Sequence, residues 1–286
     1  MTSTASSPAP VRLAAAQMVS GPRVADNLKT AGRLVAEAVA QGATLVALPE
    51  YFPIIGASDA DKVAAREKDA EQGGGGPIQD FLAETAARHG IWLIGGSVPL
   101  EASAPDKMRN SSVAYGPDGK RVARYDKIHL FGFQKGAERY DEAATIEAGD
   151  TPVAFDTPFG RVALSICYDL RFPELYRRLA GGVGGNDKPV DLIVMPAAFT
   201  ETTGRAHWEI LLRARAIENQ CYLLAVGQGG RHESGRETHG NSMVVGPWGD
   251  ILDRKLKGPG VVIADFDPTY LAEVRASLPA LKHRVL

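Results

Sequence analysis

Two cysteines in 286 residues, Cys167 and Cys221, are too few for a disulfide framework. A reducing compartment is the expectation, and a cytoplasmic location with it. Long apolar runs are missing as well. None approaches the roughly 20 residues that span a bilayer, so no membrane span is expected. Charge of one sign is missing too: 32 Lys and Arg face 34 Asp and Glu, for a net charge of −2. That balance gives no general attraction to nucleic acid or to an anionic membrane. The six histidines are scattered without ligand spacing, so neither a metal nor another cofactor is expected. Residues 1–10 lack the basic and apolar regions of a secretory signal, and their Ser, Thr, Ala and Pro content predicts a flexible tail. What remains, 44% hydrophobic and 23% charged, is ordinary for a globular enzyme or binding domain.

The pattern along the chain alternates strands with helices. Residues 11–18 read as a buried strand, and Leu28, Ala31, Leu34, Val35 and Ala38 recur at helical spacing through 27–41. A strand at 44–50 completes a βαβ unit. An exposed helix is expected at 59–71. The glycines at 73–76 are no phosphate loop, because no Gly-Lys-Ser/Thr follows and no strand precedes. They read instead as a turn before a helix that Pro77 opens at 77–89. One strand at 91–98 and a hairpin about Gly116-Pro117-Asp118-Gly119 come next. Residues 131–150 form a long polar connection, a kind that is uncommon unless functional. Strands follow from 162 and at 190–195, 221–226, 242–245, 250–253 and 260–266. A helix opens at Pro173. A glycine-rich surface excursion is expected at 181–189. An amphipathic helix at 206–219 offers Trp208, Ile210, Leu211, Ala214 and Ile217 for packing, and a short helix at 268–277 precedes a tail at 278–286. Two rounds of this alternation, with antiparallel hairpins at the margins, predict an α/β fold layered by helices. No linker divides it, so a single domain at 11–277 is expected.

Three strand ends carry complementary chemistry. An apolar run from Val162 stops at Cys167, and a polar turn then feeds the helix at Pro173. Helix-start N–H groups favour a thiolate and can bind an oxyanion. A lone cysteine is more often core, but here Leu48-Pro49-Glu50 ends one strand in a carboxylate, and Lys127 ends the hairpin. Singly, Glu50 reads equally as a helix-start carboxylate and Lys127 as a solvated charge. Arg171 and Glu174 stand at helix-turn distance, and a mutual salt bridge is expected; Arg171 facing a substrate carboxylate is the alternative. Cys221 reads as core.

These motifs together resemble the nitrilase superfamily of carbon–nitrogen hydrolases. Leu-Pro-Glu50, Lys127-Ile-His-Leu-Phe and Cys167-Tyr-Asp-Leu-Arg-Phe-Pro-Glu occur in the family's order, and the contexts look most like its Nit amidase branch. The resemblance spans about 11–275 and implies a four-layer α-β-β-α sandwich. It implies that Cys167 attacks an amide carbonyl to form a thioester and that Glu50 moves the protons. Lys127, with the Tyr168 backbone N–H, would hold the oxyanion. A second family glutamate aligns best with Glu142, although Ala143 stands where the branch usually has Ser; Glu138 and Glu147 are rivals. Phe199, Thr200 and Thr203 fall where the family builds its substrate pocket, and His129 supports the lysine loop. The implied substrate is a small carboxylate-bearing amide, deaminated-glutathione-like by preference, with an ω-amide of an α-keto acid as the alternative. An N-carbamoyl amidase or nitrilase is a further alternative, although true nitrilases typically carry Trp-Glu after the cysteine. The resemblance also implies a homodimer or larger homo-oligomer, for which Tyr176, Leu179, Trp208 and Leu212 are candidate surface residues.

Two other classes fit these residues less well. A papain- or triad-glutaminase-type hydrolase needs a glycine-flanked cysteine and a later His-x-Glu pair, whereas Cys167 is flanked by Ile166 and Tyr168. A non-catalytic scaffold is disfavoured by the joint presence of Glu50, Lys127 and Cys167.

Overall fold

The computed structural model describes residues 11–136, 138–181 and 188–285. The expected tail at 1–10 and most of the glycine-rich stretch at 181–189 lie outside them. One sheet is built from β1 (Val11–Gln17), β2 (Leu45–Ala47), β3 (Trp92–Ile94), β4 (Val98–Glu101), β5 (Met108–Tyr115), β6 (Arg121–Asp126) and β15 (Gly260–Phe266). Its order is β15-β1-β2-β3-β5-β4, with β6 also paired to β5. The second sheet is β14 (Ile251–Lys255), β13 (Ser242–Val245), β12 (Tyr222–Gly227), β11 (Leu192–Ala197), β10 (Gly160–Leu164) and β9 (Val153–Thr157), in that order. A hairpin of β7 (Gly132–Lys135) and β8 (Glu138–Asp141) stands apart from both. In each large sheet the middle strands run parallel and the margins antiparallel. Parallel neighbours need crossover connections, and helices supply them.

Strand alternation shows how the layers stack. In register, Leu13 pairs with Leu45 and Leu45 with Trp92, and these three join the apolar core shared with the second sheet. The next row, Ala14, Val46 and Leu93, faces Ala31, Leu34, Val35 and Ala38 of α1 (Val24–Ala40) and Ile78, Leu82 and Ala86 of α3 (Pro77–His89). Leu175 and Leu179 of α4 (Pro173–Ala180) and Trp208, Leu212 and Ala216 of α5 (Glu201–Asn219) cover the second sheet. Period-2 strands with both faces buried need exactly such cover on either side. The arrangement is the four-layer α-β-β-α sandwich.

Four local expectations are corrected. The helix expected at 59–71 is α2 (Asp59–Ala64) only. Beyond it Glu67 pairs its backbone with Pro99 and Glu101, and its carboxylate accepts the first N–H groups of α3, at Ile78 and Gln79. The single strand at 91–98 is two, with β5 between them in the sheet. The break falls at Gly96, whose φ is +53° and whose added Cβ would lie 2.1 Å from the Pro49 carbonyl oxygen. Only glycine tolerates that approach. In α5 the buried face is Trp208, Leu212 and Ala216, while Ile210 is 70% and Ile217 47% exposed. Tyr176, Leu179, Trp208 and Leu212, the candidate oligomer surface, are all core of a single chain. Among the described residues no helix is long and apolar enough to cross a membrane.

Candidate active site

Four ionisable side chains meet, three of them just past strand ends of the two large sheets and the fourth after the separate hairpin. Glu50 follows β2, Lys127 follows β6, Glu142 opens a 3-10 turn after β8, and Cys167 follows β10. Lys127 Nζ lies 2.8 Å from Glu50 Oε1 and 2.8 Å from Glu142 Oε2. Glu50 and Lys127 are 1% exposed, so this chemistry is nearly dry. Cys167 takes φ +50°, an unusual conformation for a side chain-bearing residue. It begins a 3-10 turn, Cys167–Arg171, rather than merely preceding a helix. The sharp corner leaves Cys167 lining the same pocket as Glu50.

Charge balance in the site is set by burial and by the ion pairs. Burial pushes the Glu50 carboxyl up, but the charge and hydrogen bond of Lys127 outweigh it and hold Glu50 below its ordinary range. Burial works against the Lys127 ammonium, but Glu142 and Glu50 outweigh it and hold Lys127 well above. Burial and the Glu50 charge push the Cys167 thiol well up, with Lys127 only partly offsetting them. The resting state is therefore carboxylate, ammonium and neutral thiol. Cys221 is fully buried and pushed up to about 12 by burial.

Of the three rival glutamates, Glu142 alone touches Lys127 among the described residues. Glu142 also accepts the Tyr51 hydroxyl at 3.0 Å and the Phe131 N–H at 2.7 Å. Glu138 accepts from Thr202, and Glu147 binds Ser103 and Arg109. Glu50 is held by Asn110 Nδ2 at 3.0 Å and, across the seam, by the Ala198 N–H at 2.8 Å. Asp169 ties the loops together: it accepts from the Tyr125 hydroxyl, from the His129 N–H and from the Ile166 N–H. His129 stacks on Phe172 at 3.8 Å.

A pocket opens onto this cluster, lined by Glu50, Glu142, Cys167, Tyr168, Arg171, Phe199, Thr200 and Thr203, together with Phe131, Ala198 and Arg236. Thr200 caps α5 by accepting the Thr203 N–H, and Phe199 packs on Trp208. Arg171 does not pair with Glu174. Its guanidinium lies over the rings of Tyr168 and Phe199 and 3.1 Å from His207 Nδ1, with no carboxylate partner among the described residues. Three contributors were missed in the sequence. Asn110 lies mid-strand and Ala198 acts through its backbone, so neither gives a side-chain signal. Arg236 lies in a polar loop without periodicity; an arginine beside glycines is the sole cue there.

A family model described as Carbon-nitrogen hydrolase matches residues 12–276. The chain belongs to that family. It is a hydrolytic enzyme of the amidase type, and its resemblance to the Nit branch stands. Deaminated glutathione amidase of Synechocystis is 41% identical over 96% of this chain and 98% of its own length. An omega-amidase of Xenopus laevis is 38% identical over 96% and 94%. The crystal structure of Saccharomyces cerevisiae Nit3, a member of branch 10 of the nitrilase superfamily, superposes with a TM-score of 0.85 at 28% identity, covering 96% of this chain and 97% of that one.

Proposed function

We propose that this carbon–nitrogen hydrolase cleaves small carboxylate-bearing amides through a thioester on Cys167. The observation that carries the reading is the cluster itself: Cys167 lines the same pocket as Glu50 and Glu142, and Lys127 Nζ lies 2.8 Å from Glu50 Oε1 and 2.8 Å from Glu142 Oε2. Glu50 takes the thiol proton as Sγ bonds to the carbonyl carbon. Lys127 and the Tyr168 N–H receive the oxyanion; the latter stands in the first turn of a 3-10 helix, where N–H groups have no intrahelical acceptor. Glu50 then protonates the amide nitrogen, the C–N bond breaks, and the amine or ammonia leaves. Water gives a proton to Glu50 and its oxygen attacks the thioester; the C–S bond breaks and the sulfur regains its proton. Glu142 keeps the Lys127 ammonium charged and aimed.

Arg171, without a carboxylate of its own, is the cation that meets the substrate carboxylate. Phe199, Thr200 and Thr203 shape the acyl side. The higher identity to a deaminated glutathione amidase favours that substrate type over ω-amides of α-keto acids. A homodimer or larger assembly is also proposed. Exposed Ile210, Ile217 and Trp248, rather than the core residues first considered, support it.

The test is release of amine or ammonia from a panel of short amides, with mass spectrometry of the quenched enzyme. An acyl adduct on Cys167 is expected. Turnover with no adduct on any cysteine under rapid quenching would overturn the thioester.

A further inference from the structure

Glu50 and Tyr51 are neighbours in sequence, and both side chains serve the same ammonium. Glu50 binds Lys127 directly, while the Tyr51 hydroxyl donates at 3.0 Å to Glu142, which holds Lys127 in turn. Consecutive residues of an extended strand point to opposite faces, so the chain has to leave strand geometry between them. It does so at Tyr51, whose φ is +53°. A residue with a Cβ keeps that left-handed conformation only where its surroundings impose it.

Two buried side chains impose it, one from each large sheet. The peptide linking Glu50 to Tyr51 lies beyond β2, and among the described residues neither its N–H nor its carbonyl has a backbone partner. Buried peptide groups need partners, and here side chains supply them. The N–H donates to Ser97 Oγ at 3.0 Å, and the carbonyl accepts from Gln228 Nε2 at 3.1 Å. Ser97 stands between β3 and β4, and Gln228 directly follows β12; both are fully buried. Gln228 is itself held at three points. Its Oε1 accepts the Ser20 N–H at 3.0 Å, its Nε2 also donates to Ser20 Oγ at 2.8 Å, and its own N–H donates to the Ala197 carbonyl at 2.8 Å. The Ser20 N–H can only donate, which settles the end of the amide that bears oxygen. The next residue, Ala198, gives its N–H to Glu50 Oε2. The second sheet thus grips Glu50 twice, by its carboxylate and by its main chain.

We propose that Gln228 and Ser97 are positioning residues of the reaction centre, which fix the plane of the Glu50–Tyr51 peptide and thereby place the Glu50 carboxylate and the Tyr51 hydroxyl. The proposal rests on the reading of Glu50 as the group that moves the protons. Proton transfer tolerates little misplacement: a shift of about 1 Å can cost about a hundredfold in rate. Neither Gln228 nor Ser97 lines the pocket, so the loss of either acts on turnover through Glu50 and not on substrate contacts.

The experiment compares Ser97→Ala, Gln228→Met and the double variant with wild type and Glu50→Gln, on the full-length enzyme with glutaramate as the probe substrate. Methionine keeps the length of the glutamine side chain and removes its donor. Ammonia release gives kcat and KM, and urea unfolding gives the stability of each variant. Each single variant should lose about tenfold in kcat, the cost of a displacement well under 1 Å, with KM close to wild type. Because both side chains grip one peptide, the double variant should lose far less than the roughly hundredfold product, as groups acting as a unit do. Gln17→Met is the matched control. Gln17 is equally buried, but its side chain bonds only Gly258 and Ser242 among the described residues. Its replacement should lower stability and leave kcat alone. Normal kcat in both Ser97→Ala and Gln228→Met overturns the proposal, as does a double variant whose losses multiply. Should Gln228→Met not fold, Ser97→Ala carries the same prediction with the loss of a single hydroxyl. Glu50→Gln separates the two readings. If it is inactive beside normal Ser97→Ala and Gln228→Met, the clamp alone falls; if it turns over like wild type, the proton carrier falls and the clamp with it.

Discussion

The Asp169 carboxylate accepts the His129 backbone N–H at 3.1 Å and lies 2.7 Å from the ring Nδ1 of the same residue. Because it also takes the Tyr125 hydroxyl and the Ile166 N–H, one buried carboxylate joins the loop of Lys127 to the loop of Cys167. Asp169→Asn keeps the volume but replaces one acceptor oxygen with a donor. It should lower kcat by about ten- to a hundredfold and destabilise the fold by about 2 kcal/mol, the scale of a lost bond to a charged group. Steady-state kinetics with urea unfolding checks this. A wild-type rate would show that the two loops hold their spacing without it.

Cys167→Ala should fold like the wild type and lose at least about a thousandfold in kcat, as removal of a nucleophile does. The substitution removes one buried sulfur and leaves the left-handed backbone as it was, since alanine also carries a Cβ. Circular dichroism and an amide assay decide it. Turnover within tenfold of wild type would remove Cys167 as the nucleophile.

Glu142→Gln should cut kcat strongly while leaving unfolding close to wild type, because the side chain contacts Lys127 at the edge of the pocket. Glu138→Gln and Glu147→Gln, bound elsewhere, should turn over normally. A normal rate in the first with a crippled rate in either of the others would move the role to that neighbour.

Acid stability offers a separate check. Burial pushes the Glu201 carboxyl up, but hydrogen bonds from Lys257, Arg205 and His239 outweigh it, so the group titrates at about 2. A carboxylate with a lowered folded value adds stability above its unfolded value of about 4.3, and that stability is lost as pH falls toward 2. Glu201→Gln should therefore be less stable than wild type at pH 6, with the gap closing between about pH 4.3 and 2. Urea midpoints at several pH values measure this. A gap that does not change with pH would show that the carboxylate charge contributes nothing.

Light scattering should give at least twice the 30.4 kDa of one chain. A mass near 30 kDa at working concentration would remove the oligomer, and Trp248→Glu should lower the mass if the outer face of α5 and its neighbouring turn form the contact.

How far the sequence could be read depended on where each signal lay. Glu50 and Cys167 were legible because each ends an apolar run with chemistry that a strand has no use for, and Lys127 because it ends a hairpin within a motif resembling the family's. The helix 77–89 was legible from Pro77, which opens it. Residues 59–71 were misread because Glu67 and Asp69 act at a distance, the first capping α3 and the second pairing with Arg121 and Arg124. No local periodicity carries such a partnership. The face of α5 was misjudged because Arg215 and Asn219 are buried while Ile210 and Ile217 are not; hydrogen bonds from Arg215 to the Leu170 carbonyl repay that burial. Arg236 was invisible for a simpler reason: its partners are a backbone carbonyl and a ring, and neither leaves a spaced motif.

Glu50 and Lys127 leave one sheet, while Cys167 and Ala198 leave the other, and β15 (Gly260–Phe266) closes the first sheet beside β1 (Val11–Gln17). Neither half of the chain holds a complete reaction centre. The general base and the cation therefore meet the thiol only where the two sheets pack face to face.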